Sequence, residues 1–269
     1  MIGSKEAVRA FWEDASCGER LYLRGHEPDE YERQRRLRYE LEPYIVPFAD
    51  FEHVAGKRVL EIGVGLGADH QGFAEGGAEL AGMDLTRRAV EHTRRRLAVS
   101  GLRSVLCPAD AERLPFASES FDRVYSWGVI HHSPDTQQAI REIHRVLRRG
   151  GDARVMIYHK WSLVGAMLWL RHALLRARPW TPLQDIYARH LESPGTKAYS
   201  TAEARVLFSD FATVDIATQL THADLLSSGA GQRHVGVALS LARALWPRAL
   251  LRRLFPNAGL FMLILARKQ

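Results

Sequence analysis

Between Arg58 and about Tyr158 the chain repeats one pattern: a short apolar run, a turn, then an amphipathic stretch of helical period. Continuous apolar runs bounded by such stretches predict βα units that build a parallel sheet covered on both faces. The expected strands are RVLEIG, ELAGMD, SVLCP, DRVYSW and ARVMIY. DLTRRAVEHTRRRLAVSG reads as a helix with Ala89, Val90, Leu97 and Ala98 as its apolar stripe, its arginines solvated, and Gly101 as its stop. HHSPDTQQAIREIHRVLRRGG reads as another, with Ser133 as N-cap and Pro134 at the first helical position. Its Ile140, Ile143 and Leu147 face the sheet, and Gly150-Gly151 marks the exit.

On either side of this core the pattern loosens. Residues 1–55 mix aromatic and charged positions and are interrupted by Pro28, Pro43 and Pro47, which predicts a few short helices forming a lid. After Tyr158, WSLVGAMLWLRHALLRARPW is apolar and punctuated by arginine, and residues 161–198 are expected to form a helical cap insertion. Ser200 and Glu203 make a capping box ahead of AEARVLF. TVDIATQL and GLFMLILARK read as two strands that pair antiparallel at the sheet edge. The expected class is α/β, with a core over 56–160 and its remainder over 199–269, which carries a basic amphipathic insertion at about 222–256.

Composition narrows the function. A chain of 269 residues can hold one α/β domain with appended segments. Apolar content of 46% and charged content of 25% are those of a soluble globular protein, and no run approaches the roughly 18 apolar residues of a membrane span. MIGSKEAVRAFWEDAS lacks the apolar centre of a secretory signal, so cytoplasmic residence is expected. Cys17 and Cys107 stand far apart with no Cys or His at ligand spacing, which argues against a disulfide framework and a zinc knuckle. The net charge of +6 points to an anionic surface, nucleic acid or membrane, as partner.

EIGVGLGADH, residues 61–70, carries the candidate chemistry. Gly63, Gly65 and Ala68 satisfy the dinucleotide loop G-x-G-x-x-G/A, while Glu61, Gly63, Gly65 and Gly67 satisfy E-x-G-x-G-x-G, which binds S-adenosylmethionine. A strand that ends in glycines and enters a helix presents backbone N–H groups and lets a ligand come close. Asp84 ends ELAGMD about twenty residues later, where a carboxylate accepts from both ribose hydroxyls, and so indicates a nucleoside of either kind. Asp69 separates the two: it puts negative charge at the helix start, where a pyrophosphate would need neutralising. S-Adenosylmethionine has no phosphate, and Glu61 or Asp69 can serve its ammonium. Asp110, in the turn after SVLCP, is placed to accept from an adenine amino group, the plain alternative being an ordinary turn residue.

VLEIGVGLGAD, Asp84, ADAERLPF and FDRVYSWGVIHH together resemble the class I S-adenosylmethionine-dependent methyltransferases in order and spacing, closely over residues 57–158 and more loosely over the last two strands. LPFASESFDRVYS, the His pair and L-x-x-G-G are similar to the small-molecule enzymes of ubiquinone and menaquinone biosynthesis. The resemblance implies a Rossmann-like, seven-stranded, mostly parallel sheet with an antiparallel terminal pair and helices on both faces. It also implies S-adenosyl-L-methionine as cofactor, with Glu61, Gly63, Gly65, Gly67 and Asp69 at the amino-acid end and Asp84 with Leu85 at the ribose. Asp110 and Ala111 would meet adenine, and Trp127 and Gly128 would close over the methionine side. Val64 and Leu66 depart from the smaller or polar residues often found between such glycines.

Methyl transfer asks the protein to align a nucleophile, exclude water and, for a hydroxyl, amine or activated carbon, take a proton. His131 and His132 follow the fourth strand at the carboxyl edge of the sheet and are candidate bases, with Tyr158 and His159 next. The blander readings are a packed His131, a His132 that merely precedes the cap, and a Tyr158 that is cleft wall. Arg38 and Tyr39 read either as lid or as a surface helix face. No third ligand stands near the His pair in sequence, so no metal is expected. WGVIHH occupies the place of the [DNS]-P-P-[YFW] run of exocyclic-amine methyltransferases, which counts against a DNA role. HVGVALSLARALWPRALLRRLFPNAGLF interleaves Leu, Trp and Phe with Arg243, Arg248, Arg252 and Arg253 and has no acid, as an anionic membrane surface requires and as an apolar cap also allows. Nucleic-acid patches carry fewer leucines. The expected function is therefore methylation of a small, lipophilic acceptor such as a quinone, sterol or polyketide-like metabolite, in the cytoplasm or at the inner membrane face. An RNA methyltransferase and an inactive cofactor-binding scaffold are the alternatives, and the oligomeric state stays open.

Overall fold

A computed structural model describes residues 3–23, 25–228, 244 and 246–269. Its strands are β1 (Arg58–Ile62), β2 (Glu79–Asp84), β3 (Val105–Pro108), β4 (Phe121–Trp127), β5 (Leu147–Tyr158), β6 (Thr213–Gln219) and β7 (Phe261–Arg267). They form one sheet in the order β3-β2-β1-β4-β5-β7-β6. β1 to β5 are parallel, and β7 runs antiparallel between β5 and β6. The expected terminal pair is present, with the last strand inserted inside the edge. Because the chain leaves β1 for β2 on one side and β4 joins on the other, a crevice opens at the carboxyl ends of β1 and β4.

The helices are α1 (Lys5–Asp14), α2 (Glu19–Tyr22), α3 (Pro28–Leu41) and α4 (Ile45–Ala49) before the sheet. α5 (Ala68–Glu75), α6 (Arg87–Val99) and α7 (Thr136–Val146) lie within the βα repeats. α8 (Leu163–His172), α9 (Leu183–His190), α10 (Thr201–Leu207) and α11 (Arg248–Leu254) follow. Val59, Leu60 and Ile62 of β1 are fully buried, as a central strand covered on both faces demands. Ile140 and Ile143 of α7 and Leu147 bury against the sheet as the period required. A second cluster packs β5 and β7 against α8 and α9 of the segment after Tyr158. Ser200 and Glu203 form the reciprocal capping box of α10.

Three local expectations are corrected. Ile130–His132 form a 3-10 turn and Ser133 stays extended, so the cap of α7 is Asp135, which accepts from Gln138 N at 2.9 Å. Ser133 Oγ instead donates to Glu112. Gly150-Gly151 lies inside β5, because α7 stops at Val146 and the chain enters the strand directly, with a register shift against β4 and Gly150 at φ +76°. On α6, Ala98 is exposed, and Arg96 takes the inward position, fully buried. Its guanidinium donates to Gln71 Oε1 (3.1 Å) and to Gln34, and lies 4.7 Å over the Tyr31 ring. Burial lowers its pKa to about 10. An arginine that periodicity assigned to solvent thus pins α3 onto α5 and α6. Residues 229–243 and 245 of the basic insertion, Arg243 among them, lie outside the described residues.

Candidate active site

The glycine loop joins β1 to α5. Gly63 has φ +83°, and a Cβ there would sit 2.1 Å from Val129 Cγ2. Gly65 has φ +52°, and a Cβ there would meet nothing within 4 Å. Gly63 therefore seats the loop, and Gly65 holds open the space above it. Gly67 precedes α5 in the left-handed conformation, packed on Thr93. Val64 and Leu66 are buried and act as its anchors.

Three acids surround this loop, each differently satisfied. Asp84 Oδ1 accepts from Thr86 N (3.0 Å) and Thr86 Oγ1 (2.8 Å), while Oδ2 has a single long donor, Gly65 N at 3.3 Å. Burial raises its pKa against these hydrogen bonds. Asp69 is gripped by Arg38 through two bonds (3.1 and 2.8 Å) and by Tyr125 Oη at 3.0 Å, so it ties α3 to the loop. Tyr39 Oη donates to Ala68 O at 3.3 Å. Glu61 Oε2 lies 2.8 Å from His70 Nδ1, and His70 Nε2 lies 2.8 Å from Ser104 Oγ. Ser104 donates its proton to Leu80 O (2.8 Å), so it accepts from Nε2–H, and His70 Nδ1 is left as the acceptor. Burial pushes Glu61 well above the carboxylate range and lowers His70 to about 3. Both directions describe a neutral pair in which Glu61 carries the proton.

At the far end of the crevice Asp110 accepts from Glu112 N (2.9 Å) and pairs with Lys5 of α1, which also bridges Glu112 at 2.6 Å. Ala111 is buried beside it. Trp127 stacks on Tyr44 and Tyr125, and Gly128 follows at φ +72°.

His131 and His132 are both buried, and their rings lie 4.2 Å apart. His131 packs 4.1 Å from the Tyr158 ring; neither of its ring nitrogens has a hydrogen-bond partner among the described residues, and burial next to His132 and Lys197 holds its pKa well below the usual value. His132 Nδ1 lies 2.8 Å from Ser193 Oγ and 3.1 Å from Thr196 Oγ1. Tyr158 Oη donates to Glu192 Oε2 at 2.6 Å, and the same oxygen is 3.3 Å from His132 Nε2. Burial and Glu192 raise the Tyr158 pKa. Ser193, Thr196 and Glu192 come from the cap, some sixty positions after the His pair, and no local motif announces them. Asp224 is a second group that the sequence did not signal: fully buried, it accepts from Thr221 N and Oγ1, Val164 N and Leu260 N (2.8–3.1 Å), joining α8 to the start of β7. His159, by contrast, lies near Gly259 O and belongs to that joint.

A cavity of about 870 Å³ connects these parts. Gly65, Asp84, Leu85, Asp110 and Ala111 line one end, and His132, Tyr158 and Glu192 line the other. The family described as a methyltransferase domain matches residues 60–155. This is a class I S-adenosylmethionine-dependent methyltransferase domain. Within it fall the glycine loop, all three acids and the His pair. The domain is 40% identical over 100 residues to methyltransferase GfsG of Streptomyces halstedii, covering 36% of each chain. It is 34% identical over 100 residues to a chloroplastic 2-methyl-6-phytyl-1,4-hydroquinone methyltransferase of Oryza sativa, covering 36% of this chain and 30% of that one. The matches thus span about a third of these relatives' lengths. Among solved structures the methyltransferase fold recurs in a SAM-dependent methyltransferase of Thermotoga maritima (TM-score 0.57, 22% identity, 97% and 100% coverage). It recurs also in a phosphoethanolamine N-methyltransferase of Haemonchus contortus (TM-score 0.60, 17% identity, 97% and 60% coverage).

The residues of the methyltransferase core fit the cofactor. The space above Gly65 is one a Cβ would fill, and Asp84 Oδ2 keeps accepting capacity for a ribose hydroxyl. At the amino-acid end Glu61 faces His70, and Arg38 pairs with Asp69 and lies 3.6 Å from Glu42, whose pKa burial raises to about 7.

Proposed function

We propose that the protein transfers a methyl group from S-adenosylmethionine to a small, lipophilic acceptor held beneath the cap. The observation that carries this reading is the continuity of the 870 Å³ cavity from Asp84 to Tyr158. That volume is near the top of the roughly 300–1,000 Å³ range for a single ligand, as a site for cofactor and acceptor together requires. Phe11, Trp12, Leu168, Leu260 and Phe261 make the acceptor end apolar. The name of the rice relative, with its phytyl hydroquinone, agrees with a lipophilic acceptor.

When bound, the cofactor supplies an electrophilic methyl on a positively charged sulfur. Asp84 takes the ribose hydroxyls, with Leu85 alongside. Asp110 and Ala111 take adenine once Lys5 yields Asp110. Glu61 takes the ammonium, Asp69 holds Arg38 toward the carboxylate, and Gly63, Gly65 and Gly67 keep the loop shape. Trp127 and Gly128 wall the methionine side. His132 accepts the acceptor's proton through Nε2, its Nδ1 side oriented by Ser193 and Thr196, and Tyr158 with Glu192 fixes the acceptor oxygen. His131 is a positioning residue behind them. Exposed Leu174, Leu175 and Trp180 near Arg176 and Arg178, with Leu254 and Phe255 near Arg252 and Arg253, support contact with an anionic membrane surface. No described helix is long and apolar enough to cross a membrane.

Calorimetric titration with S-adenosylmethionine and with NAD, followed by labelled-methyl incorporation into lipid extracts, tests the reading. Binding of the first cofactor and a labelled lipophilic product are expected. NAD binding without S-adenosylmethionine binding overturns it, and label entering RNA alone moves the acceptor to nucleic acid. Pelleting with anionic vesicles tests the surface contact, which fails if the protein stays in the supernatant.

A further inference from the structure

The acceptor end of the cavity contains a donor set, His131 with His132 and Glu192, that can serve in place of the proton relay. His131 is fully buried with both ring nitrogens unpartnered among the described residues. A buried imidazole left so forfeits its hydrogen bonds on both sides. One of its nitrogens, one His132 nitrogen and a Glu192 oxygen lie within 4.8 Å of one another.

The His132–Glu192 contact is the informative one. Nε2 and Oε2 are 3.3 Å apart, yet Nε2 forms no hydrogen bond, so the oxygen sits within reach but out of line for an N–H. Two ligand atoms each about 2.1 Å from a tetrahedral ion are roughly 3.4 Å apart, and each lies well off the other's lone-pair axis. Thr196 spends its hydroxyl proton on Ser193 O at 2.7 Å, so toward His132 Nδ1 it can only accept. Together with Ser193 Oγ, 2.8 Å from the same nitrogen, it holds the Nδ1 side of the ring and so aims Nε2 at Glu192, as hydroxyls behind a metal-bound imidazole do. Tyr158 adds a further hydrogen bond to Glu192 at 2.6 Å.

We propose that His131, His132 and Glu192 bind one divalent first-row transition ion, whose remaining position faces the cavity and takes an oxygen of the acceptor. His132 and Glu192 line the cavity, which gives the ion its entry, and the three ligand atoms, within 4.8 Å of one another, draw together around it. Two imidazoles and one carboxylate with an open position form a donor set suited to such ions. Any proton resident on Nε2 or on the carboxylate leaves to solvent as the ion binds. An ion held there would lower the pKa of a bound phenol, enol or alcohol, whose proton would pass to solvent water without a strong base. This inference rests on the assignment of the acceptor end above, but not on the cofactor end.

The test uses the full chain freed of metal by chelation and dialysis. Zn²⁺ is titrated calorimetrically, and Co²⁺ is added to look for the visible absorption of a four- or five-coordinate ion. Because the stacked His172 and His190 rings, 3.8 Å apart, offer a second place for such ions, variants decide rather than stoichiometry. His131→Gln and Glu192→Gln are each expected to weaken Zn²⁺ at least tenfold and to abolish the Co²⁺ spectrum, with S-adenosylmethionine affinity within twofold of wild type. Glu192 is partly exposed in the cap, so its variant stays informative if the core substitution fails to fold. Wild-type binding that neither variant changes, or no Co²⁺ spectrum in the wild type, overturns the inference. In that case normal cofactor binding and methyl transfer after chelation leave the proton-relay reading standing.

Discussion

Glu61→Gln tests the neutral Glu61–His70 pair directly. Ser104 fixes His70 Nδ1 as an acceptor, so the group at position 61 must donate. A glutamine amide donates as the protonated carboxyl does and has nearly the same shape. The sign follows from the raised pKa of Glu61: its contribution is whole below the ordinary value of 4.5 and is lost as pH rises, because the unfolded chain ionises first. Glutamine does not titrate. The variant should therefore match wild type near pH 4.5 and become relatively more stable by about 1.4 kcal/mol for each further pH unit, until Glu61 itself ionises. His70, lowered to about 3, titrates in both proteins and to first order cancels. Were the pair instead ionic, the substitution would leave a buried charge unpaired and cost roughly 3–5 kcal/mol at pH 7. Urea unfolding at pH 5, 6, 7 and 8, with unchanged m-values, separates the two. A glutamine variant less stable by that amount at pH 7, or a difference flat across pH, refutes the neutral pair. The same proton predicts a binding effect: the cofactor ammonium re-ionises Glu61, so calorimetric enthalpies should vary with the ionisation enthalpy of the buffer. In the variant this dependence disappears and affinity falls about 10- to 100-fold, the equivalent of one hydrogen bond to a charged group.

Other substitutions divide the site by role. Gly65→Ala should cost only about 1 kcal/mol of stability for its positive φ yet weaken S-adenosylmethionine more than tenfold. Gly63→Ala, which drives a Cβ into Val129, should cost roughly 3 kcal/mol or more, and equal behaviour of the two in melting and binding would count against the assignment. Asp84→Ala should reduce cofactor affinity about 10- to 100-fold, and an unchanged dissociation constant would remove Asp84 from the ribose. Asp224→Ala strands the N–H groups of Val164, Thr221 and Leu260, so a loss of roughly 3 kcal/mol or more is expected in denaturant, and a loss under 1 kcal/mol would show that the joint reorganises freely.

What could be read from sequence follows the range of the interactions. The strands, the capping box at Ser200 and the glycine loop depend on neighbours a few positions away, and they stand where the pattern put them. Asp135 displaced Ser133 as a cap because a 3-10 turn absorbed Ile130–His132, a choice made by the packing of Ile130 and the His pair in the core. Arg96 reads as solvated by composition and is buried because Gln34, Gln71 and Tyr31 converge on it from α3 and α5. Glu192 meets Tyr158 and His132 from 34 and 60 positions away, and Asp224, apart from the local Thr221, meets Val164 and Leu260 from 60 and 36, so neither role can be read from its neighbours. The cofactor end is contiguous and legible; the acceptor end is assembled across the fold and is not.

The acids around the loop show why legibility and function coincide there. A strand interior should not hold a glutamate, and α5 should not bury an aspartate, yet both positions break the apolar rule within nine residues of each other. Each is made tolerable in a way that determines what it can still do. Asp69 is spent on Arg38 and Tyr125, so it can act on a ligand only through the guanidinium it orients. Glu61 is neutralised by a proton, which a cationic ligand can displace when its charge offsets the desolvation of the carboxylate. Asp84 is satisfied on one oxygen and nearly free on the other. A dinucleotide brings negative charge to this loop and would meet a carboxylate that Arg38 already occupies; a ligand with an ammonium finds a displaceable proton at Glu61, and a ribose finds Asp84. On the proposed reading, the preference for S-adenosylmethionine over a pyrophosphate cofactor follows from how the three acids around the loop are paired, not from the spacing of the glycines.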